Sequence, residues 1–116
     1  MKKNVIQEKS FEFSLAIIGL YKKLQAEKEF VLSKQLLRSA TSIGANVEES
    51  AAGISKKDFV AKLIIALKEA RESNYWLKLL KESDLTTIDV KIELEKSEEI
   101  IRILTSIIKT TKENLK

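Results

Sequence analysis

A run of compact polar side chains near the middle of the chain has the residue types of a binding site. Its members, here called the polar stripe, are Gln35, Arg38, Ser42, Asn46 and Glu49. At 100° per residue on a helix, they fall within about 80° on one side. Hydroxyl, amide and oppositely charged groups can form hydrogen bonds and ion pairs with one another. This favours a half-buried seam between helices or subunits. Two alternatives stay open: a solvated helix face, or a site for a ligand or RNA.

A second candidate site is a strip of cations with one aromatic residue, further along the chain. Its members, here called the basic stripe, are Lys57, Lys68, Arg71, Tyr75 and Lys78. Cations spaced along a helix can follow a phosphate backbone, and an aromatic ring can stack on a base. The stripe is therefore the predicted nucleic-acid-binding site. The alternative is a solvated face, in which Glu69, Glu72 and Glu82 dilute the positive charge.

The side chains that most enzymes need are missing from the sequence. There is no histidine, the commonest general base and metal ligand, and no cysteine. Glu69 and Glu72 are three residues apart, but the di-iron pattern of helical bundles requires Glu-x-x-His. Lys68, Arg71 or Arg38 are their expected partners instead. We therefore expect no enzymatic activity, no catalytic residue, no cofactor and no metal site.

The elements that position these residues follow from the composition and the apolar spacing. The 116 residues include no proline and three glycines, and 44% are hydrophobic, which favours long helices in a single all-α domain, 1–116. The apolar periodicity predicts helices at about 5–26, 33–52, 56–83 and 87–111. Ser33, Ser55 and Thr86 are the predicted caps of the last three helices. Short links predict an antiparallel four-helix bundle with up-down-up-down topology.

The first predicted helix is apolar on two sides. One side, expected to face the core, carries Ile6, Phe13, Ile17, Leu20 and Leu24. The other carries Phe11, Leu15 and Ile18, here called the α1 apolar strip. One apolar face suffices for packing inside a bundle, so the strip predicts contact with a second subunit. The alternative is scattered surface apolar residues, which are ordinary in soluble proteins.

The charge and hydropathy bear on the partners. A formal net charge of +4 allows an acidic partner such as nucleic acid or a membrane surface, although a basic bundle without such a partner is equally ordinary. No apolar run reaches the ~18 residues of a membrane span, and no signal peptide opens the chain. We therefore expect a cytoplasmic protein that does not engage a membrane.

The densest patterns of the chain resemble a known bacterial family. The first pattern comprises Phe30, Leu32-Ser33, Gln35-Leu36, Arg38-Ser39-Ala40, Ser42-Ile43, Asn46-Val47 and Glu49. The second comprises Lys57-Asp58-Phe59 and the stretch from Ala66 to Leu77. Both are similar to the signature of the four-helix-bundle proteins named after open reading frames in intervening sequences of 23S ribosomal RNA genes.

The resemblance implies a ring-like homopentamer and a relation to the accessory proteins of diversity-generating retroelements. Those are basic pentamers that engage nucleic acid and a reverse transcriptase. The expected function is thus a non-catalytic, homo-oligomeric accessory protein whose basic surface binds RNA, DNA or a reverse-transcriptase-like protein. The alternative is a protein–protein scaffold that binds no nucleic acid.

Overall fold

Four α-helices follow one another along the chain and pack side by side. The structure, a computed structural model, describes residues 4–115. The helices are α1 (Val5–Ala26), α2 (Leu32–Ala51), α3 (Lys56–Glu82) and α4 (Lys91–Asn114). Each helix contacts the next, and α4 returns to contact α1, which makes an elongated body of 48 × 25 × 21 Å. No strand is present between residues 4 and 115, and the predicted all-α, up-down-up-down bundle is confirmed.

The core is built from the apolar faces that the helical spacing predicts. All five residues expected to line the core side of α1 are buried. The same spacing assigns Leu36, Ala40, Ile43, Val47 and Ala51 to the apolar face of α2. The first four are buried, whereas Ala51 is exposed because it is the last residue of the helix. Within the described part of the chain, no helix is both long and apolar enough to cross a membrane.

The start of α2 differs from its prediction. Ser33 does not cap the helix, which begins at Leu32. The carboxylate of Glu29 takes that role: its two oxygens accept from the backbone N–H groups of Val31, Leu32 and Ser33 at 3.0, 3.0 and 2.6 Å. An anion is favoured at this position because the first N–H groups of a helix have no partners within the helix.

The start of α4 also differs from its prediction. Thr86 was expected to cap a helix from about residue 87, but α4 begins at Lys91. The Thr86 hydroxyl donates instead to Glu27 in the α1–α2 link, at 2.6 Å. Thr87 donates to the same carboxylate at 3.0 Å. The α3–α4 link is therefore tied to the α1–α2 link, and only the predicted Ser55 cap of α3, which accepts from the Asp58 N–H at 3.1 Å, is confirmed.

Small polar residues bring α2, α3 and α4 close together inside the core. The hydroxyls of Ser39 on α2 and Ser73 on α3 share a hydrogen bond of 2.8 Å, and both residues are fully buried. One residue further along α3, the Asn74 side-chain amide donates to the Ser97 hydroxyl of α4 at 2.9 Å. These bonds satisfy buried polar groups, and they hold α3 in a fixed rotation about its axis.

Candidate nucleic-acid interface

The basic stripe lies along the outer face of α3. All five of its residues are exposed. Because α3 runs unbroken from Lys56 to Glu82, the stripe from Lys57 to Lys78 extends over roughly 30 Å at 1.5 Å per residue. Within residues 4–115, none of its four cations forms an ion pair. Their charge therefore faces solvent along one helix face, on which the exposed Ile64 lies between Lys57 and Lys68.

Two carboxylates near the stripe, those of Glu69 and Glu72, are engaged by α2. Glu69 and Glu72 lie on the α2-facing side of α3, where both accept hydrogen bonds from the Arg38 guanidinium. The Arg38–Glu69 distance is 3.0 Å, and the Glu69 side chain is only 16% exposed. Of the three partners that the sequence suggested for these two glutamates, the structure shows Arg38. The negative charges of these two residues are thus paired with a cation of α2.

The polar stripe follows the α2–α3 boundary, but its members do not act as one network. Arg38 reaches α3 at one end, and at the other end Glu49 pairs with Lys62 of α3 at 3.0 Å. Between them, the Asn46 amide donates to the backbone and hydroxyl oxygens of Ser42, at 2.9 and 3.2 Å. Gln35 accepts from Arg38 Nε at 3.5 Å and is exposed. The stripe therefore joins α2 to α3 at two points. Between these points its polar groups form hydrogen bonds with one another.

An aromatic pair connects this boundary to the basic stripe. The rings of Tyr75 and Trp76 meet edge to face, with centroids 5.4 Å apart and an interplanar angle of 62°. Trp76 is half-buried, and its Nε1–H donates to Glu72 at 3.1 Å. Tyr75 stays 55% exposed. Sequence reasoning missed the Glu72–Trp76 bond, although their spacing of four residues places them on one helix face.

The α1 apolar strip is exposed on the surface of α1. Phe11, Leu15 and Ile18 are 58%, 55% and 36% exposed. Phe11 also lines a shallow groove of about 260 Å³ between α1 and α2, together with residues such as Gly44 and Ala45. The strip and the groove together form an apolar surface on the α1 side of the molecule.

A second groove, of about 410 Å³, borders the basic stripe on the α4 side. It is lined by Lys78 and Lys81 of α3 and by Glu95 and Glu98 of α4, among others. Glu82 of α3 lines the same groove, so acidic residues border the stripe at its Lys78 end. Between residues 4 and 115, no three acidic side chains gather closely enough to hold a metal ion.

Two buried or bonded carboxylates in the links have shifted pKa values. Burial raises the pKa of Glu29, but the N–H groups of Leu32, Ser33 and Val31 and the Ser33 hydroxyl outweigh burial and hold this pKa below its ordinary value. Hydrogen bonds from the Thr86 and Thr87 hydroxyls lower the pKa of Glu27. Both carboxylates serve the fold at one end of the bundle and lie outside the candidate interface.

Comparison with known proteins agrees with the resemblance seen in the sequence. The model of a family described as 23S rRNA-intervening sequence protein matches residues 2–106. A crystal structure from Bacteroides thetaiotaomicron VPI-5482 is similar, with 50% identity and a TM-score of 0.86 over 90% of this chain and 99% of that chain. It is described as a protein with unknown function from the S23 ribosomal protein family. No curated protein matches the chain. Because the family model matches most of the chain, the protein belongs to the 23S rRNA-intervening sequence protein family.

Proposed function

We propose that the protein is a non-catalytic subunit of a homo-oligomer that binds nucleic acid through the basic stripe of α3. One observation carries this proposal. Lys57, Lys68, Arg71 and Lys78 share an exposed helix face without ion-pair partners among residues 4–115, while Arg38 engages the nearby Glu69 and Glu72. A row of free cations is the surface that a phosphate backbone requires.

The affinity of such a surface comes chiefly from the release of counterions when phosphates are neutralised. A single helix face with four cations makes few phosphate contacts, so one subunit alone binds weakly. Several copies in one assembly multiply the contacts and raise the local concentration of each stripe along the same strand. The proposal therefore needs assembly, and the family resemblance implies a ring of five copies.

The α1 apolar strip supports assembly. Leu15 and Ile18 expose apolar surface on a helix whose other side already fills the core. Only about half of each side chain is still exposed, so burying the rest against a neighbour stabilises an assembly by roughly 0.5–1.5 kcal/mol each. Because the strip is on α1 and the basic stripe is on α3, the same subunit can assemble through one face and present the other to a strand.

The experiment is a charge reversal on the stripe, Arg71→Glu with Lys78→Glu. Its matched control is Lys23→Glu with Lys34→Glu, two exposed cations on α1 and α2 that change the net charge by the same amount. We expect the stripe variant to weaken RNA and DNA binding by at least about tenfold and to flatten its dependence on salt. The control variant is expected to lose much less affinity.

Equal losses in the two variants would assign the binding to overall charge and reject the stripe. Absence of binding by the unaltered protein, even at low salt, would favour the alternative function, a protein–protein scaffold. Filter-binding titrations at several salt concentrations distinguish these outcomes.

A further inference from the structure

We infer that Tyr75 is a base-stacking residue and that the basic stripe therefore prefers single-stranded over duplex nucleic acid. This inference rests on the proposed function and adds the class of strand to it. Tyr75 lies within the stripe, four residues after Arg71 and three before Lys78. Side chains at these spacings are neighbours on a helix surface, with Cβ atoms roughly 5–6 Å apart. An exposed ring is thus placed between two cations.

The ring of Tyr75 is supported from the side. The Trp76 ring contacts it edge to face, and the Trp76 indole is itself held by its hydrogen bond to Glu72. Glu72 is held in turn by Arg38 of the neighbouring helix. This chain of contacts restricts the motion of Tyr75, so that less conformational entropy is lost when a base packs on it.

The preference for single strands follows from what a tyrosine on a convex helix face can reach. In a duplex, both faces of nearly every base are covered by neighbouring bases, and only phosphates and groove edges meet the protein. In a single strand, an unstacked base can lie on an aromatic ring while adjacent phosphates meet cations. The pattern of Arg71, Tyr75 and Lys78 supplies both contacts within two helical turns.

The test compares the unaltered protein with Tyr75→Ala and with Tyr75→Phe, which keeps the ring. The probes are a mixed-sequence RNA strand, the duplex of that strand with its complement, and inorganic polyphosphate, which has no bases. We expect Tyr75→Ala to lower affinity for the single strand about tenfold, as for the loss of one stacked base. Affinity for the duplex and for polyphosphate is expected to stay within about twofold, and Tyr75→Phe is expected to bind all three like the unaltered protein.

The single tryptophan of the chain gives an independent readout. Because Trp76 contacts the Tyr75 ring, its fluorescence should change when the single strand binds and should not change with polyphosphate. Tyr75 is largely exposed, so its replacement should leave the helical circular dichroism signal and the unfolding midpoint intact.

The outcomes separate this inference from the proposed function. If Tyr75→Ala weakens the three ligands equally, or weakens none of them while the unaltered protein binds, stacking is rejected and the charge-based function stands. If the unaltered protein prefers the duplex, stacking is rejected as well. If it binds none of the three probes at low salt, both ideas fail.

Discussion

Arg38 of α2 and Glu69 of α3, 31 residues apart in sequence, meet at 3.0 Å across the boundary between their helices. The same guanidinium engages Glu72, one turn further along α3. An arginine can hold two carboxylates because its planar fork offers five donors. The consequence extends beyond α2, since the two carboxylates that could have weakened the positive field of the basic stripe are paired with a cation of the neighbouring helix.

Replacing Arg38 with Gln is expected to lower the affinity for nucleic acid while changing the free energy of unfolding only slightly. The Arg38 side chain is 52% exposed, so its pair with Glu69 contributes at most about 1 kcal/mol to stability. Without it, the charges of Glu69 and Glu72 are no longer offset beside the stripe. Lys34→Gln removes one exposed positive charge from the same helix and serves as the control. Titration with single-stranded RNA should show the larger loss for Arg38→Gln, and equal losses would contradict this role.

Much of the fold could be predicted from the sequence, because apolar spacing reports directly on burial. Phe13 and Ile17 in α1 and Leu63 and Leu77 in α3 follow that spacing and are fully buried. The starts of α2 and α4 could not be predicted in the same way. Several side chains compete for the first N–H groups of a helix, and Thr86 is engaged by Glu27, 59 residues away. A local pattern contains no information about such a distant partner.

The candidate site shows the same division between local and distant information. The shared face of Lys68, Arg71 and Tyr75 follows from helical geometry alone. The bond between Trp76 and Glu72 was also within reach of that reasoning, since it needs only a spacing of four. Which of the possible cations would neutralise Glu72 was open, because that choice depends on how α2 is rotated against α3. The buried bond between Ser39 and Ser73 helps to set this rotation, and it becomes visible only in three dimensions.

The Glu29 cap predicts a loss of stability in acid. Its folded-state pKa is below the ordinary value, so its contribution is complete above the unfolded-state pKa, about 4.3, and is lost as the pH falls through the lower folded-state value. Glu29→Gln should cost about 1 kcal/mol at neutral pH, as for other lost caps, and progressively less below pH ~4. Urea unfolding at several pH values measures this. Glu12→Gln, at an exposed position of α1, should leave stability unchanged. A deficit for Glu29→Gln that is the same at all pH values would contradict the assignment.

The two glycines inside helices should respond differently to alanine. A Cβ built at Gly19 meets no atom within 4 Å, so Gly19→Ala should stabilise the protein by about 0.5–1 kcal/mol through the higher helix propensity of alanine. A Cβ at Gly44 lies 3.4 Å from the Ser14 hydroxyl and 3.6 Å from the Ser10 carbonyl oxygen. Gly44→Ala should therefore gain less, because its Cβ would lie at the lower limit of van der Waals contact with polar atoms of α1. Thermal unfolding of both variants tests this order, and a larger gain at Gly44 would show that α1 and α2 are packed less closely than described.

Assembly through the α1 apolar strip predicts that one buried charge is enough to separate the subunits. Leu15→Asp or Ile18→Asp would place a carboxylate in an apolar contact, where an unpaired charge is very unfavourable. Size exclusion with light scattering should show a fall in mass toward the 13.2 kDa of a single chain. Ile92→Asp, at an α4 side chain that is 65% exposed, introduces the same charge elsewhere and should leave the mass unchanged.

Since each subunit contributes one basic stripe, the separated variants should also bind long RNA more weakly, with affinity for very short strands preserved. A variant that stays assembled with Asp at position 15 or 18 would move the interface to another face, and the link between assembly and strand binding would have to be sought there.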